Sequence, residues 1–170
     1  TEKAGAAGSG MWKTGVSMAD VNGDGWLDMY VCQVGEYKMI SGRNELFINN
    51  RDGSFTEQAE TYGLAFKGFS QHAAFFDFDR DSDLDLYLLN HSVHAAENYG
   101  PSSGRLLRNE LAGDRFYRND DNTFVDISEQ AGIYGSRLGF GLSVTLADFD
   151  GNGCTDIFVA NDFHENDYLY

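Results

Sequence analysis

Aspartate and asparagine side chains recur at alternating positions in three short segments of the chain. The segments read DVNGDGWLD from Asp20, DFDRDSDLD from Asp77 and DFDGNGCTD from Asp148, and each fits the pattern D-x-[DN]-x-[DN]-x-x-x-D. In a tightly curled loop, the side chains at positions 1, 3 and 5 converge on one point, and a carboxylate at position 9 closes the cage. Such oxygen donors suit a hard cation, and this donor set favours Ca²⁺ over Mg²⁺. The pattern therefore predicts up to three bound calcium ions.

Each segment offers four side-chain ligands and the main-chain carbonyl of position 7. The predicted ligands are Asp20, Asn22, Asp24, Asp28 and the Trp26 carbonyl; Asp77, Asp79, Asp81, Asp85 and the Asp83 carbonyl; and Asp148, Asp150, Asn152, Asp156 and the Cys154 carbonyl. Three Ca²⁺ ions would bring the formal net charge of the chain from −15 to −9. Much of the acidity of the chain is thus accounted for by the predicted sites.

Two other interpretations of these segments fit the sequence less well. Asp, Asn and Gly are also ordinary turn residues, so a single match would indicate little, whereas three matches in one register favour ion binding. An EF-hand needs an acidic residue at position 12 and flanking helices, but position 12 holds Val31, Leu88 and Val159.

The second segment departs from the other two at position 6. It has Ser82 where the others have Gly25 and Gly153. This difference predicts a strained turn and a weaker site.

Runs of β-forming residues flank every aspartate segment, which predicts that each segment joins two antiparallel strands. A second pair of runs follows, ELFINN with SFTEQA and RFYRND with TFVDIS, so that each repeat contains four strands. Four-stranded units spaced 57 and 71 residues apart between first aspartates are typical of β-propeller blades. The longer spacing contains an insertion at residues 91–114, predicted to be a surface loop with a helical turn near Leu106 and Leu107.

The fold class predicted from these features is all-β, a β-propeller fragment of four-stranded antiparallel blades with calcium-binding hairpin loops. The expected division is a blade remnant at 1–10, blades at 11–64 and 65–133, and the start of a further blade at 134–170. Residues 1–4 match residues 56–59 at three of four positions. The chain is expected to begin and end within blades, with the remaining blades of the parent chain as partners.

Composition excludes several classes of function. A net charge of −15 and a pI near 4.4 would repel phosphate groups, which argues against nucleic acid and anionic membrane surfaces as partners. No apolar run approaches the roughly 20 residues that span a bilayer. The two cysteines, Cys32 and Cys154, lack zinc-site spacing and are interpreted as structural thiols.

The repeats resemble the FG-GAP/VCBS repeats of integrin-α-like propellers, whose D-x-D-x-D-G-x-x-D loops bind calcium. An FG pair stands at Phe140 and Gly141, while Trp12-Lys13 and Phe69-Ser70 replace it in the other repeats. The LFINNRDGSFTE and NDFHENDYLY segments are similar to large secreted bacterial VCBS proteins that carry an ASPIC/UnbV domain. The resemblance implies a seven-bladed propeller in an extracellular, cell-surface or periplasmic setting.

The predicted function is a recognition, adhesion or scaffold module in which Ca²⁺ is structural and the partner is an extracellular protein or a glycan. The alternative is a calcium-dependent glycan-active enzyme, a polysaccharide lyase or hydrolase, that uses His91, His94 or His164. No nucleophile motif supports catalysis, so no catalytic residue is predicted. The recurring aromatic residues are interpreted as core between blades, without a separate platform for stacking sugars; they are Phe75, Phe76, Phe78, Tyr87, Phe116 and Tyr117.

Overall fold

The computed structural model describes residues 2–93, 101–163 and 165–170, and these form three antiparallel β-sheets. The first sheet contains β1 (Lys13–Ala19), β2 (Asp28–Gln33), β3 (Glu45–Asn49) and β4 (Phe55–Glu57). The second contains β5 (Ser70–Phe76), β6 (Asp85–Asn90), β7 (Arg115–Asp120) and β8 (Thr123–Asp126). The third contains β9 (Gly141–Ala147), β10 (Asp156–Asn161) and β11 (Tyr168–Leu169). The helical elements are α1 (Ala59–Tyr62) and a 3-10 helix (Ser102–Leu106).

Strands that follow each other in sequence are neighbours in every sheet. The last residue of the first strand pairs with the final aspartate of the pattern, as in Ala19 with Asp28 and Phe76 with Asp85. The aspartate segments are therefore hairpin connections, as predicted, and we name them loop 1 (residues 20–28), loop 2 (residues 77–85) and loop 3 (residues 148–156). The predicted four-strand repeat is also confirmed for the first two sheets.

The sheets pack face to face through two apolar clusters. The first cluster lies between the first and second sheets and includes Tyr30, Leu46, Leu64, Leu86 and Phe124. The second lies between the second and third sheets and includes Tyr87, Leu89, Phe116, Val159 and Tyr168. Each such side chain contributes roughly 1.5–3 kcal/mol when fully buried, so these clusters are the main source of the packing free energy.

The first strands of neighbouring sheets lie side by side. Thr14 Oγ1 donates to the Ser70 carbonyl at 2.6 Å, and Ser17 Oγ donates to the Ala73 carbonyl at 2.5 Å. This parallel placement brings the three hairpin loops to one edge of the stack. Arg80 of loop 2 donates to the Gly153 carbonyl of loop 3, and loops 1 and 2 line a common cavity of about 200 Å³.

A tight turn ends each repeat at a glycine in the left-handed region, with φ of 71° at Gly5, 78° at Gly63 and 71° at Gly132. The glycine N–H donates in each case to a carbonyl three residues earlier, that of Glu2, Glu60 or Glu129. A Cβ at Gly63 would lie 2.8 Å from the Phe124 carbonyl oxygen, so the next sheet packs directly on this turn. The structure therefore aligns residues 2–5 with residues 60–63. The alignment of residues 1–4 with residues 56–59, predicted from sequence identity, is wrong by three residues.

The insertion, the cysteines and the aromatic side chains agree with most of the predictions made for them. The helical turn predicted in the insertion is present as the 3-10 helix, with Leu106 and Leu107 exposed, and both cysteines are free. Most of the aromatic side chains predicted to be core are buried, but Phe78 is 40% exposed because it lies in loop 2, beyond the end of β5. None of the described helices has the length and apolar character needed to cross a membrane.

Candidate metal centre

The aspartate at position 1 holds the backbone of each loop. The Asp20 carboxylate accepts hydrogen bonds from the N–H groups of Asp24 at 2.9 Å and Gly25 at 2.8 Å. In loop 2, Asp77 accepts from Arg80 at 2.7 Å and Ser82 at 3.1 Å. Asp148 does the same in loop 3 with the N–H groups of residues 151, 152 and 153. The loops are thus shaped by their own carboxylates.

The aspartate at position 9 joins the loop to the third strand of its sheet. Asp28 is fully buried and accepts from the Val21 N–H at 3.0 Å and the Asn49 N–H at 2.8 Å. Burial raises the pKa of its carboxyl group, while the two N–H donors oppose that rise.

The same arrangement holds in loop 2. Asp85 is fully buried and accepts from the Phe78 N–H at 2.8 Å and the Asn119 N–H at 2.9 Å. Position 9 therefore has a structural role in addition to its predicted role as a ligand.

Two loops bring three carboxylates together at positions 1, 3 and 9. One oxygen each from Asp77, Asp79 and Asp85 lies within 4.8 Å of the others, and Asp148, Asp150 and Asp156 form the equivalent cluster. In loop 1 the amide of Asn22 stands at position 3, so the three-carboxylate cluster is not formed there. Asp79 accepts no hydrogen bond from the described residues, which leaves its carboxylate available as a ligand.

The side chains at position 5 accept hydrogen bonds from the backbone of their own loop. Asp24, Asp81 and Asn152 each accept a hydrogen bond from the N–H group two residues later, at 2.9, 3.0 and 2.6 Å. These oxygens close a local turn and lie outside the three-carboxylate clusters. The roles predicted for the position 5 side chains as ligands remain predictions. The same holds for the main-chain carbonyl oxygens of Trp26, Asp83 and Cys154.

The electrostatics of loop 2 fit a cation. Desolvation raises the pKa of Asp83 to about 6, and the nearby carboxylates of Asp81 and Asp85 add to the rise. The Oδ1 atom of Asp83 is buried without a hydrogen-bond partner among the described residues. Since the donors of the cluster are all carboxylate oxygens, a hard divalent ion would relieve the repulsion, whereas a soft metal would not find its preferred ligands.

Loop 1 meets its negative charge with an arginine of its own sheet. The guanidinium of Arg51 lies 2.9 Å from Asp24 Oδ2, and this contact lowers the pKa of the Asp24 carboxyl group. Arg51 stands two residues after Asn49, in the connection between β3 and β4. The equivalent connection of the second sheet has Asp121 after Asn119 and Asp120, so loop 2 lacks this partner.

Positions 4 and 6 of every loop have a positive φ. These positions are Gly23 and Gly25 in loop 1 and Gly151 and Gly153 in loop 3. In loop 2 they are Arg80, with φ 66°, and Ser82, with φ 80°. The backbone strain predicted at Ser82 is confirmed. Arg80 is also in the left-handed region, so loop 2 contains two strained residues, each of which costs roughly 1 kcal/mol in conformational free energy.

Sequence reasoning missed the residues that support the loops from other strands. Asn49 and Asn119 hold the buried aspartates through their N–H groups, and their amides also donate to the carbonyls of Leu27 and Leu84. Asn49 ends β3, and Asn119 lies near the end of β7. The two asparagines thus occupy equivalent places in the two repeats, and this recurrence in the sequence could have identified them.

Of the three histidines proposed for the enzyme alternative, His91 lies within the described residues. His91 lies at the edge opposite the loops, where its ring packs edge-on against Phe140 with centroids 5.6 Å apart and its Nδ1 lies 3.2 Å from the Gly141 carbonyl. His94 and His164 lie outside the described residues.

Comparison with known families gives a match to the family model described as FG-GAP-like repeat. It covers residues 34–88 and 102–159, which is more than half of the chain; the first matched region contains loop 2 and the second contains loop 3. Comparison with curated proteins gave no match.

Proposed function

The chain belongs to the FG-GAP-like repeat family, and from this premise we propose that it is part of a calcium-binding β-propeller that serves as a recognition, adhesion or scaffold module. The observation that carries this proposal is the recurrence of one aspartate loop at the same edge of three packed sheets, with carboxylates gathered at one point in two of them. Calcium is structural in this proposal, and the chain is not proposed to be an enzyme.

The packing of the sheets supports a propeller. Neighbouring sheets lie face to face with their first strands adjacent, the arrangement that blades adopt around an axis. Apolar side chains remain exposed on both outer faces, among them Val16 and Met18 of β1 and Leu169 of β11. Further blades of the parent chain would cover these faces. The division into 1–10, 11–64, 65–133 and 134–170, the count of seven blades and the likeness to VCBS proteins with an ASPIC/UnbV domain belong to this proposal.

The ion would be held by the carboxylates at positions 1, 3 and 9, and in loop 1 by Asn22 at position 3. When bound, calcium supplies positive charge and cross-links the ends of the hairpin. The aspartates at positions 1 and 9 already accept hydrogen bonds from the loop and from β3 or β7. The chain itself therefore orients most of the donors, and the ion is expected to add stability without reshaping the sheets.

The proposed setting is extracellular, cell-surface or periplasmic, with an extracellular protein or a glycan as the partner. Extracellular calcium modules bind with Kd values of roughly 0.1–1 mM, and calcium-rich surroundings would fill sites in this range. The strongly acidic composition supports a partner that is neither nucleic acid nor a membrane.

Thermal unfolding tests the calcium part of the proposal. The full chain is unfolded in excess EDTA, in about 5 mM CaCl₂ and in the same concentration of MgCl₂, which exceeds the weak end of such sites. We expect calcium to raise Tm by roughly 5 °C or more, and magnesium to raise it less. Equal Tm values in EDTA and calcium would contradict a structural role for the ion.

Matched variants assign the effect to the loops. Asp79→Ala removes a clustered carboxylate that makes no hydrogen bond within the described residues, so it is expected to reduce the calcium shift without lowering Tm in EDTA. Glu36→Ala removes one exposed charge near the opposite edge and is expected to leave the shift unchanged. An equal reduction in both variants would point to general charge screening instead.

A further inference from the structure

The gaps between neighbouring metal loops differ within the molecule. Between loops 1 and 2 the gap is the cavity of about 200 Å³, which Gly23 and Ser82 help to line. Gly23 stands at position 4 of loop 1, and a Cβ there would meet no atom within 4 Å. Position 4 of loop 2 is Arg80, whose guanidinium donates to the Gly153 carbonyl of loop 3 and lies 3.4 Å from the Cys154 Sγ atom. An arginine side chain therefore crosses the second gap, whereas a glycine leaves the first one open.

The Arg80 contact connects the two three-carboxylate clusters. On the loop 2 side, the Arg80 N–H donates to the Asp77 carboxylate at 2.7 Å. On the loop 3 side, the Gly153 N–H donates to the Asp148 carboxylate at 2.9 Å. Both aspartates belong to the clusters of their loops. Three hydrogen bonds and the covalent bonds of Arg80 and Gly153 thus connect a predicted ligand in loop 2 with a predicted ligand in loop 3.

The backbone of Arg80 indicates that its side chain contributes an interaction that glycine cannot make. Its φ is 66°, in the left-handed region, where Gly23 and Gly151 stand at position 4 of the other two loops. An arginine is less favourable than a glycine in this conformation, and such a residue persists only where the surrounding structure holds it in place. The bond to Gly153 is an interaction of this kind, because it needs a long side chain with a donor at its end.

We propose that Arg80 couples calcium binding in loop 2 to calcium binding in loop 3, so that each ion strengthens the binding of the other. Binding of an ion at Asp77 would restrict the backbone of Arg80 and, with it, the guanidinium on the Gly153 carbonyl. Loop 3 would then already be ordered in part, so that binding of the second ion would cost less conformational entropy. Thermodynamic linkage makes the effect reciprocal. This inference rests on the proposed calcium function, and it adds how two of the sites regulate each other.

A tryptophan placed in loop 3 makes the test specific for that loop. Phe149 stands at position 2 of loop 3 and is 52% exposed, and its ring packs edge-on against Phe158. The reporter chain is the full chain with Phe149→Trp, Trp12→Phe and Trp26→Phe, so that only the introduced indole emits. Calcium is added to about 10 mM, which exceeds the Kd of roughly 0.1–1 mM expected for such sites. We expect a saturable change in emission, from which the Kd of loop 3 is obtained.

A double-mutant cycle then measures the coupling. Asp79→Ala removes a ligand of loop 2 and is expected to raise the Kd of loop 3 by about fivefold in the reporter chain. In an Arg80→Gly background, the same substitution is expected to leave the Kd of loop 3 unchanged. Arg80→Gly places at position 4 the residue type of the other two loops. The variant is therefore expected to fold, which thermal unfolding in EDTA checks.

Two controls separate the Arg80 contact from general electrostatics. Arg118→Ala also removes an arginine, one that pairs with the Asp120 carboxylate of its own strand at 2.7 Å, and it is expected to preserve the fivefold effect of Asp79→Ala. Loop 1 is followed by the emission of Trp26 in a Trp12→Phe chain, and its Kd is expected to be the same with and without Asp79→Ala. Loss of the coupling in Arg118→Ala as well as in Arg80→Gly would overturn the assignment to Arg80.

The outcomes distinguish this inference from the function on which it rests. Saturable binding at loop 3 with a Kd that Asp79→Ala leaves unchanged would overturn the coupling and leave the calcium function intact. A lower Kd in Asp79→Ala would show that the two ions repel each other more than the contact links them, and it would also overturn the coupling. The absence of a saturable response from loop 3, together with equal Tm values in EDTA and calcium, would contradict both the calcium function and the coupling.

Discussion

Loop 1 and loop 2 share one backbone frame but treat negative charge and backbone strain differently. In loop 1 both left-handed positions are glycine, and Arg51 pairs with the Asp24 carboxylate. In loop 2 the same two positions are Arg80 and Ser82, and Arg80 donates to the Gly153 carbonyl of loop 3 instead of pairing with its own aspartates.

The two loops therefore differ in how much stability an added cation would contribute. Loop 1 is relaxed and partly neutralised by the chain itself, while loop 2 is strained and has crowded carboxylates, with the pKa of Asp83 raised to about 6 by burial and by its acidic neighbours. The extra carboxylate at position 3 of loop 2 favours ion binding, and the strained backbone opposes it. We therefore expect loop 2 to depend more strongly on calcium than loop 1.

A second difference between the first two sheets concerns the residue before the third strand. Asn44 in the first sheet accepts from the Gln33 N–H and donates to the Tyr30 hydroxyl, each at 2.9 Å. Asp114 in the second sheet accepts from the Asn90 N–H and the Tyr87 hydroxyl, each at 2.8 Å. The same place in the repeat thus holds a neutral amide in one sheet and a buried carboxyl group in the next.

The largest effect is expected at position 9. Asp85→Ala removes both oxygens that hold the N–H groups of Phe78 and Asn119, so we expect a loss of roughly 3–5 kcal/mol in the free energy of unfolding in EDTA, measured by urea denaturation. Asp156→Ala in loop 3, where the described contact is one bond from the Phe149 N–H, is expected to cost less than half as much. Equal costs would remove the structural role assigned to the buried aspartates.

The next effect is a pH dependence. Burial raises the pKa of Asp114 to about 7 in the folded chain, whereas the unfolded chain ionises near 4. Unfolding therefore releases a proton between about pH 4 and 7, and the stability contributed by this group falls as pH rises through that window. In the Asp114→Asn variant, the free energy of unfolding is expected to fall by roughly 2–3 kcal/mol less between pH 4 and 7 than in the parent chain.

The first sheet supplies the control for Asp114. Asn44→Asp places a carboxyl group in the equivalent buried position and is expected to add a fall of the same sign, measured by urea denaturation across pH 4–7. If Asp114→Asn and the parent chain had parallel pH profiles, the buried carboxyl group would not be the cause.

A smaller effect is expected from relief of strain in loop 2. Ser82→Gly removes a side chain from a residue with φ of 80°, at a place where the equivalent Gly25 meets no atom within 4 Å. We expect a net gain of roughly 0.5–1 kcal/mol in stability, since the added freedom of the unfolded chain offsets part of the relief. Thermal unfolding in EDTA measures it. A loss of stability would show that the Ser82 side chain makes a favourable contribution.

The smallest effect is expected at Arg51. Arg51→Ala removes an exposed ion pair and should lower Tm by less than about 2 °C. Because Asp24 then lacks its cationic partner, calcium affinity at loop 1 is expected to rise, as followed by the emission of Trp26 in a Trp12→Phe background. A fall in affinity would mean that Arg51 orders the loop more than it competes with the ion.

The local features of this chain were predictable because they repeat in sequence. Aspartate spacing identified the hairpins, and the β-forming runs around them gave the four-strand order. Support from distant residues was not predictable: Arg51 reaches Asp24 across a hairpin, and Arg80 reaches the next loop. The link between loops 2 and 3 was missed for the same reason, since Arg80 and Gly153 belong to different repeats and meet only after the sheets pack.

The most direct test of the account is the number of calcium ions bound by the full chain, measured by equilibrium dialysis at free calcium of about 5 mM. Three bound ions are expected for the parent chain and two for Asp79→Ala, with three retained in Glu36→Ala. Binding of fewer than two ions by the parent chain, or an unchanged number in Asp79→Ala, would contradict the assignment of the aspartate loops as calcium sites.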